Sequence, residues 1–148
     1  MANYVTTVES PLSPKAAFEY MSDLRNFERW DPGVRSATQV VGVGGGPESS
    51  FDVSVASVGP DLTLRYETIR YEPDHFVVVE ARSRMFTSTD QIRIRSEASG
   101  SVVTYEAELR LNGPFSLFDP FLRLVFKRIG DRAAAGLKVA IGAGGRDL

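Results

Sequence analysis

The sequence contains no cysteine and only one histidine, and each shortage excludes a kind of chemistry. Without cysteine the chain can form no disulfide, no thiolate nucleophile and no cysteine metal site. His75 lies in a predicted turn after Pro73 and Asp74, so any Ser–His triad or histidine metal site would depend on that one residue. We therefore predict neither a metal site nor a triad hydrolase.

Neither positively nor negatively charged residues are in clear excess. Seventeen Lys and Arg residues face 19 Asp and Glu residues, for a net charge of −2. A nucleic-acid-binding domain normally carries a strongly basic face, so we predict no nucleic-acid partner. No apolar run reaches the roughly 18 residues that span a bilayer, and the opening Met1–Val5 lacks the regions of a signal peptide. We expect a cytoplasmic protein without stable membrane insertion.

The glycine-rich stretch 42–46 does not predict a nucleotide site. A dinucleotide fingerprint needs a helix directly after its glycines, whereas Pro47 and then a strand pattern follow here. The Gly-Lys-Ser/Thr sequence of a phosphate loop is also missing. We interpret the stretch as a hairpin loop and predict that the protein uses no cofactor.

What the sequence does contain is a long series of strand patterns between helices. Its 148 residues, 43% of them apolar, suit one domain over 1–142, with a flexible tail at 143–148. Alternating and β-branched segments predict strands over 4–8, 37–43, 50–58, 62–71, 76–84, 86–96 and 102–111. Two short helices are predicted over 14–21 and 24–30, the first capped by Ser13 with Pro14 in its first turn.

A long helix is predicted over 120–141, with Asp119 as its cap and Pro120 at its first position. Helical spacing places one apolar stripe along it, formed by Phe121, Leu122, Val125, Ile129, Ala133, Gly136 and Ala140. Short turns between successive strands predict an antiparallel meander. The chain should therefore have an α+β fold, in which a curved seven-stranded antiparallel sheet wraps around the long helix.

Several segments resemble the polyketide cyclase/dehydrase and lipid-transport superfamily, which shares the START-like helix-grip fold. They are Ser10-Pro11, 16–21 with Asp23, Asn26-Phe27, 30–34, and 109–114 leading into 121–137. The resemblance spans nearly the whole chain. It implies a cavity for a hydrophobic ligand but no single reaction, because members include binders, carriers and cyclases.

Tyr105, Asp90 and Arg132 are the candidates for chemistry. Tyr105 falls on the apolar face of its strand, where a phenol needs a hydrogen-bond partner. Asp90 shares the parity of Ile92 and Ile94, so it lies either at a cavity mouth or at a functional site, because a buried carboxylate is costly unless it is paired. Arg132, beside the helix stripe, either covers apolar surface, anchors an acidic head group or pairs with Asp90.

Alternation along the strands and spacing along the helix predict the residues that line a ligand cavity. They are Trp30, Phe51, Val53, Tyr66, Asp90, Ile92, Tyr105, Ala107, Leu109, Phe118, Phe121, Leu122, Val125 and Ile129. The orientation of strand 76–84 stays open, because both of its faces are apolar. Phenylalanines near the start of the long helix belong to the core or form an exposed lip that contacts a membrane or a partner. Arg123, Lys127 and Arg128 either suit an anionic surface or form an ordinary solvated helix face.

Three functions follow from these patterns. The leading hypothesis is binding, with or without transport, of a small hydrophobic or amphipathic ligand such as a lipid, polyketide or aromatic metabolite. The second is a polyketide cyclase or dehydrase that uses Tyr105, Asp90 or Arg132. The third is a protein-interaction module with a closed cavity. The patterns favour no oligomeric state.

Overall fold

The structure, a computed structural model, describes residues 1–57 and 59–142. Its strands are β1 Ala2–Ser10, β2 Val34–Val41, β3 Ser50–Val55, β4 Leu62–Glu72, β5 Phe76–Arg82, β6 Phe86–Glu97 and β7 Gly100–Leu111. Its helices are α1 Pro14–Ser22, α2 Phe27–Trp30 and α3 Asp119–Ile141, with 3₁₀ turns at Leu24–Asn26 and Gly113–Phe118. The predicted tail at 143–148 and the end of the predicted strand 50–58 lie outside the described residues.

The seven strands form one antiparallel sheet in the order β1-β7-β6-β5-β4-β3-β2. Every neighbouring pair except β1 and β7 is consecutive in the chain, so short turns build most of the sheet. β1 returns to pair with β7 along its whole length, from Ala2 opposite Leu109 to Ser10 opposite Ser101. The predicted α+β helix-grip fold with a seven-stranded antiparallel sheet is confirmed.

Local sequence signals explain where the short helices begin and where β2 ends. The Ser13 hydroxyl accepts a hydrogen bond from the Ala16 amide at 3.1 Å, so the predicted cap is confirmed. β2 begins at Val34, three residues earlier than predicted, because Val34 already pairs with Val55 of β3. It ends before Gly42, whose φ of 88° suits glycine and turns the chain into the predicted hairpin loop.

The orientation of β5, which the sequence left open, is decided by packing. Val77, Val79 and Ala81 face the core. Phe76 lies on the opposite face, where the guanidinium groups of Arg70 and Arg93 stand 4.8 and 4.1 Å from the ring centroid. The outer face of β5 can carry an aromatic residue because arginine side chains cover its ring. For this reason the sequence of β5 is apolar on both faces.

A tightly packed core fills one end of the concave face of the sheet. α1, α2 and the 3₁₀ turn between them cover this end, and residues of the inner strands pack beneath them. The fully enclosed side chains include Phe18, Met21, Leu24, Phe51, Val77, Val79, Ile92 and Val103.

α3 packs into this core only through its C-terminal half, where Ala133, Ala134, Leu137 and Ile141 are buried. Its contacts are mainly with β1 and α2. Two glycines permit the close approach: a Cβ on Gly130 would overlap the ring of Tyr4, and one on Gly136 would overlap the carbonyl oxygen of Trp30. The helix is therefore held at its middle and in its C-terminal half by contacts that tolerate no side chain.

The predicted cap at Asp119 is wrong. Asp119 is already the first residue of α3, and a 3₁₀ turn over Gly113–Phe118 leads into it. Its carboxylate accepts a hydrogen bond from the N-terminal ammonium group of Met1 instead of an amide of its own helix. Because the preceding turn already has helical geometry, no extended residue stands at the cap position.

Gly136→Ala should lower the free energy of unfolding by roughly 1–3 kcal/mol, because the new methyl group meets rigid backbone at Trp30. Alanine is the better helix former by about 1 kcal/mol, so propensity alone predicts the opposite sign. Urea unfolding would measure the change. Ala135→Gly, at the exposed neighbouring position, measures how much helix propensity alone changes the free energy of unfolding. A Gly136→Ala protein that is more stable than the parent would contradict the close contact with Trp30.

Candidate ligand-binding site

The other end of the concave face is not filled. There a cavity of about 670 Å³ lies between the sheet and the segment 122–134 of α3, within the size range of small-molecule sites. Its apolar walls come mainly from β3, β4, β7 and α3, with the side chains Val53, Val55, Leu62, Leu64, Ala107, Leu109, Leu122, Phe126 and Ile129. The cavity exists because α3 is packed onto the core at its C-terminal half only.

Strand alternation carries each strand from the packed core into the cavity. Along β6, Ile94 and Ile92 are buried in the core, Asp90 follows at the boundary, and Ser88 and Phe86 line the cavity. Along β7, Val103 belongs to the core, Tyr105 touches both regions and Ala107 lines the cavity. Asp90 and Tyr105 therefore form part of the cavity floor, directly above the core.

A short hydrogen bond joins these two floor residues. The Tyr105 hydroxyl donates to Asp90 Oδ2 at 2.6 Å, across neighbouring strands. The Tyr105 ring also packs edge-on against Trp30, with 5.4 Å between ring centroids, and Trp30 packs against Phe27. Aromatic packing from α2 thus fixes the position of the Tyr105 phenol, and the phenol in turn fixes the Asp90 carboxylate.

Burial changes the proton affinities of the floor groups. It raises the pKa of Asp90 to about 7, although the Tyr105 hydrogen bond opposes the rise, and the charge of Asp31 adds to it. Burial, followed by the neighbouring carboxylate, raises the pKa of Tyr105 well above its usual value. Asp90 can therefore gain or lose a proton near neutral pH, whereas the phenol stays protonated.

Asp31 and Tyr66 complete the polar part of the lining. Asp31 follows α2, and its Oδ1 accepts the Gly33 amide at 2.8 Å, while burial raises the pKa of its carboxyl. The Tyr66 hydroxyl shares a 2.8 Å hydrogen bond with the Ser88 hydroxyl. Burial also raises the pKa of Tyr66 above its usual value.

The structure brings nine of the predicted site residues into the cavity lining: Val53, Tyr66, Asp90, Tyr105, Ala107, Leu109, Leu122, Ile129 and Arg132. The prediction that places Asp90 at a mouth is wrong, since only 4% of the residue is exposed. Arg132 is an exposed residue of the cavity wall, and no ion pair joins it to Asp90 within the described residues.

Six predicted residues lie elsewhere. Trp30, Phe51 and Ile92 are buried in the core beneath the cavity. Phe118 and Phe121 are 62% and 64% exposed, and the half-buried Val125 also lies outside the lining. The inward face of α3 is centred one residue later than predicted, and runs through Leu122, Phe126, Gly130, Ala133, Leu137 and Ile141.

Several lining residues were not predicted, and some had a signal in the sequence. Phe126 follows Leu122 by one helical turn, Ser88 has the parity of Asp90, and Leu64 has the parity of Tyr66. Asp31 and Tyr4 had none, because only the tertiary structure brings the loop after α2 and the edge strand to the cavity.

Metal-ligating side chains do not gather anywhere in residues 1–57 and 59–142, where no three or more His, Asp or Glu side chains are grouped as a metal ion would require. In the same part of the chain, no helix is long and apolar enough to cross a membrane.

The raised pKa of Asp90 predicts a pH-dependent cost to stability. At pH values between the usual pKa of 3.8 and about 7, the Asp90 carboxyl is ionised in the unfolded chain but still protonated in the folded protein. Stability should therefore fall as pH rises through this window, at up to about 1.4 kcal/mol per pH unit, and level off above it.

Asp90→Asn should remove this loss, so the variant gains stability relative to the parent from pH 4 to 7, as measured by urea unfolding at each pH. Asp52→Asn is the control, because Arg65 lowers the pKa of Asp52. It should show no such gain. Equal pH profiles for Asp90→Asn and the parent protein would contradict the assignment.

Solved structures share this fold at low sequence identity. A START superfamily protein from Mycobacterium smegmatis superposes with a TM-score of 0.76 at 12% identity, over 95% of this chain and 97% of that one. A protein from Thermus thermophilus has a TM-score of 0.69 at 15% identity, with 93% and 91% covered. The di-domain ARO/CYC StfQ of the steffimycin biosynthetic pathway has a TM-score of 0.70 at 14% identity, over 99% of this chain and 52% of StfQ. At these identities the likeness shows the fold alone.

Sequence comparison adds the family. No protein of curated function matches the sequence. The family model described as polyketide cyclase/dehydrase and lipid transport matches residues 1–142, which run from the first strand to the residue after α3. With the sheet, the long helix and the cavity between them, this match shows that the chain belongs to the polyketide cyclase/dehydrase and lipid transport family.

Proposed function

We propose that this protein binds a small hydrophobic or amphipathic molecule, such as a lipid, a polyketide or an aromatic metabolite, in its internal cavity. The observation that carries the proposal is the space of about 670 Å³ with apolar walls and polar groups gathered at its floor. Apolar burial would supply most of the affinity, at about 0.8 kcal/mol per buried CH₂ group. The hydroxyl and carboxyl groups would orient the ligand.

Catalysis of a cyclisation or dehydration is the second candidate function. The Asp90–Tyr105 pair supports it, because a carboxyl with a pKa of about 7 can exchange a proton with a bound substrate. Arg132 adds little support, since it lies exposed on the wall. Binding is favoured because the whole apolar lining supports it, whereas chemistry depends on this one pair. The cytoplasmic location suggested by the sequence stays a prediction.

Transport would involve brief contact with a membrane, and the outer face at the start of α3 supports such contact. Leu117, Phe121 and Leu124 are 82%, 64% and 74% exposed there. Arg123 and Lys127 stand on the same helix turns. The Arg123 guanidinium donates to the carbonyl oxygen of Met1, Asp119 is paired with the N-terminus, and Lys127 is paired with Asp131 at the exposed surface, where such a pair is weak. Exposed apolar groups beside basic ones suit the surface of an anionic bilayer.

Ala107→Trp should abolish binding of the neutral fluorescent probe N-phenyl-1-naphthylamine, because the indole would enter the cavity beside Leu109. Fluorescence titration would measure the affinity, which we expect to be micromolar in the parent protein. Val125→Trp is the matched control, since Val125 lies outside the lining and its replacement should leave probe binding intact.

A packed core would give a different result. The parent would then bind no probe, and Ala107→Trp would lose roughly 1–3 kcal/mol of stability from overpacking. That outcome would reject the binding function and favour a protein-interaction module. Native mass spectrometry separates the two leading candidates: an unchanged co-purified ligand supports binding, and conversion of a linear chain into a product lighter by one water supports the enzyme.

The membrane contact predicts preferential co-sedimentation with vesicles that contain phosphatidylserine, compared with vesicles of phosphatidylcholine alone. Leu117→Ser combined with Leu124→Ser should weaken it, and salt should weaken it by screening. Val139→Ser, 56% exposed near the other end of α3, is the control and should change nothing. Equal sedimentation with both vesicle types, or a dimer that forms through this face, would overturn the proposal.

A further inference from the structure

The charges that line the cavity are divided between its floor and its rim. The carboxyl groups of Asp90 and Asp31 lie on the buried side, and the charge of Asp31 raises the pKa of Asp90. The two lining arginines are on the exposed side. The Arg35 side chain is 61% exposed and stands 3.7 Å from Asp61, and Arg132 is also exposed. Acidic groups therefore lie at the floor and basic groups at the rim.

Asp90 has hydrogen-bonding capacity that the described residues leave unused. Its Oδ2 accepts from the Tyr105 hydroxyl, whereas no described donor reaches Oδ1. Oδ1 is not among the fully enclosed polar atoms that lack a partner, so it faces the cavity. A carboxylate can accept about four hydrogen bonds, and here one oxygen is free to receive a donor from a ligand.

Within residues 1–57 and 59–142, no basic side chain faces Asp90. β7 presents Tyr105, β4 presents Tyr66, the loop after α2 presents Asp31, and β5 places Val79 directly opposite. A buried carboxylate without a cationic partner is costly, and a neighbouring carboxylate adds to the cost. A cation delivered to the floor would relieve both penalties.

From this arrangement we infer that the ligand carries a basic nitrogen, which binds as an ammonium group to Asp90 while its apolar part fills the cavity. The inference rests on the proposed binding function and specifies its ligand class. An acidic ligand would bring a third negative charge to the floor and be repelled. A neutral alcohol could donate to Oδ1 but would leave the carboxylate charge without a counter-charge.

Displacement of N-phenyl-1-naphthylamine by octylamine, 1-octanol and octanoate tests this inference, because the three compounds share an apolar chain and differ in their head groups. At pH 8 octylamine should bind at least about tenfold more tightly than octanol, as expected for a hydrogen bond to a buried charge, and octanoate should bind most weakly. Octylamine affinity should rise from pH 6 to 8 as Asp90 loses its proton. Octanol affinity should stay level.

Asp90→Asn should abolish both the preference for the amine over the alcohol and its pH dependence, each measured relative to the variant's own affinity for the neutral probe. If that variant does not fold, the parent decides, since an octylamine affinity that is level or falls from pH 6 to 8 overturns the inference. Loss of the preference in Asp31→Asn but not in Asp90→Asn would overturn the assignment to Asp90. Tightest binding by octanoate would overturn the inference and assign the head group to a rim arginine.

These outcomes are separate from those of the proposed function. If the probe binds and the three octyl compounds displace it equally, the cavity is a binding site without a cationic subsite, and the inference fails alone. If the parent binds no probe at all, the proposed binding function is rejected, and the inference that rests on it is rejected as well.

Discussion

The site depends on how α3 crosses the rest of the molecule. Gly136 lets the helix backbone lie against the carbonyl of Trp30, and Gly130 lets it lie against the ring of Tyr4. These contacts, with Leu137 and Ile141 in the core, hold the C-terminal half of the helix, whereas the other end is tied to Met1 at the protein surface through Asp119 and Arg123. Between these two points of attachment, the segment 122–134 lines a cavity over the sheet. A helix packed along its whole length would have closed the fold into an ordinary core.

The cavity floor combines structural order with an energetic cost. Aromatic rings from α2 fix Tyr105, and Tyr105 fixes Asp90, so the carboxylate has a defined position in an otherwise apolar place. Its ionised form is disfavoured there, which makes this part of the fold less stable than a hydrocarbon floor would be. Under the proposed binding function, such a well-ordered group is a specific point of attachment for a ligand, and the rim arginines are too exposed to serve in the same way.

Family and fold set the general class of function, and individual side chains set its details. The superposed structures share at most 15% identity with this chain, so few of its side chains are expected in them. A shared helix-grip fold therefore places the cavity but does not choose its ligand. In the ligand class inferred above, the choice depends on Asp90 and Asp31, beside which the described residues place no buried basic side chain, a combination that the fold does not require.

Sequence patterns alone determined the sheet, the two short helices, the long helix and the inward set of β7, because alternation and helical spacing record which side of an element is buried. They also identified Asp90 and Tyr105 as inward polar residues. Tertiary structure decided the rest. The face of α3 that looks inward depends on glycine contacts with Trp30 and Tyr4, and hydrophobicity does not distinguish Phe121 from Phe126. The burial of Asp90, its bond to Tyr105 and its proximity to Asp31 arise where three distant segments meet, and no local pattern encodes such a meeting.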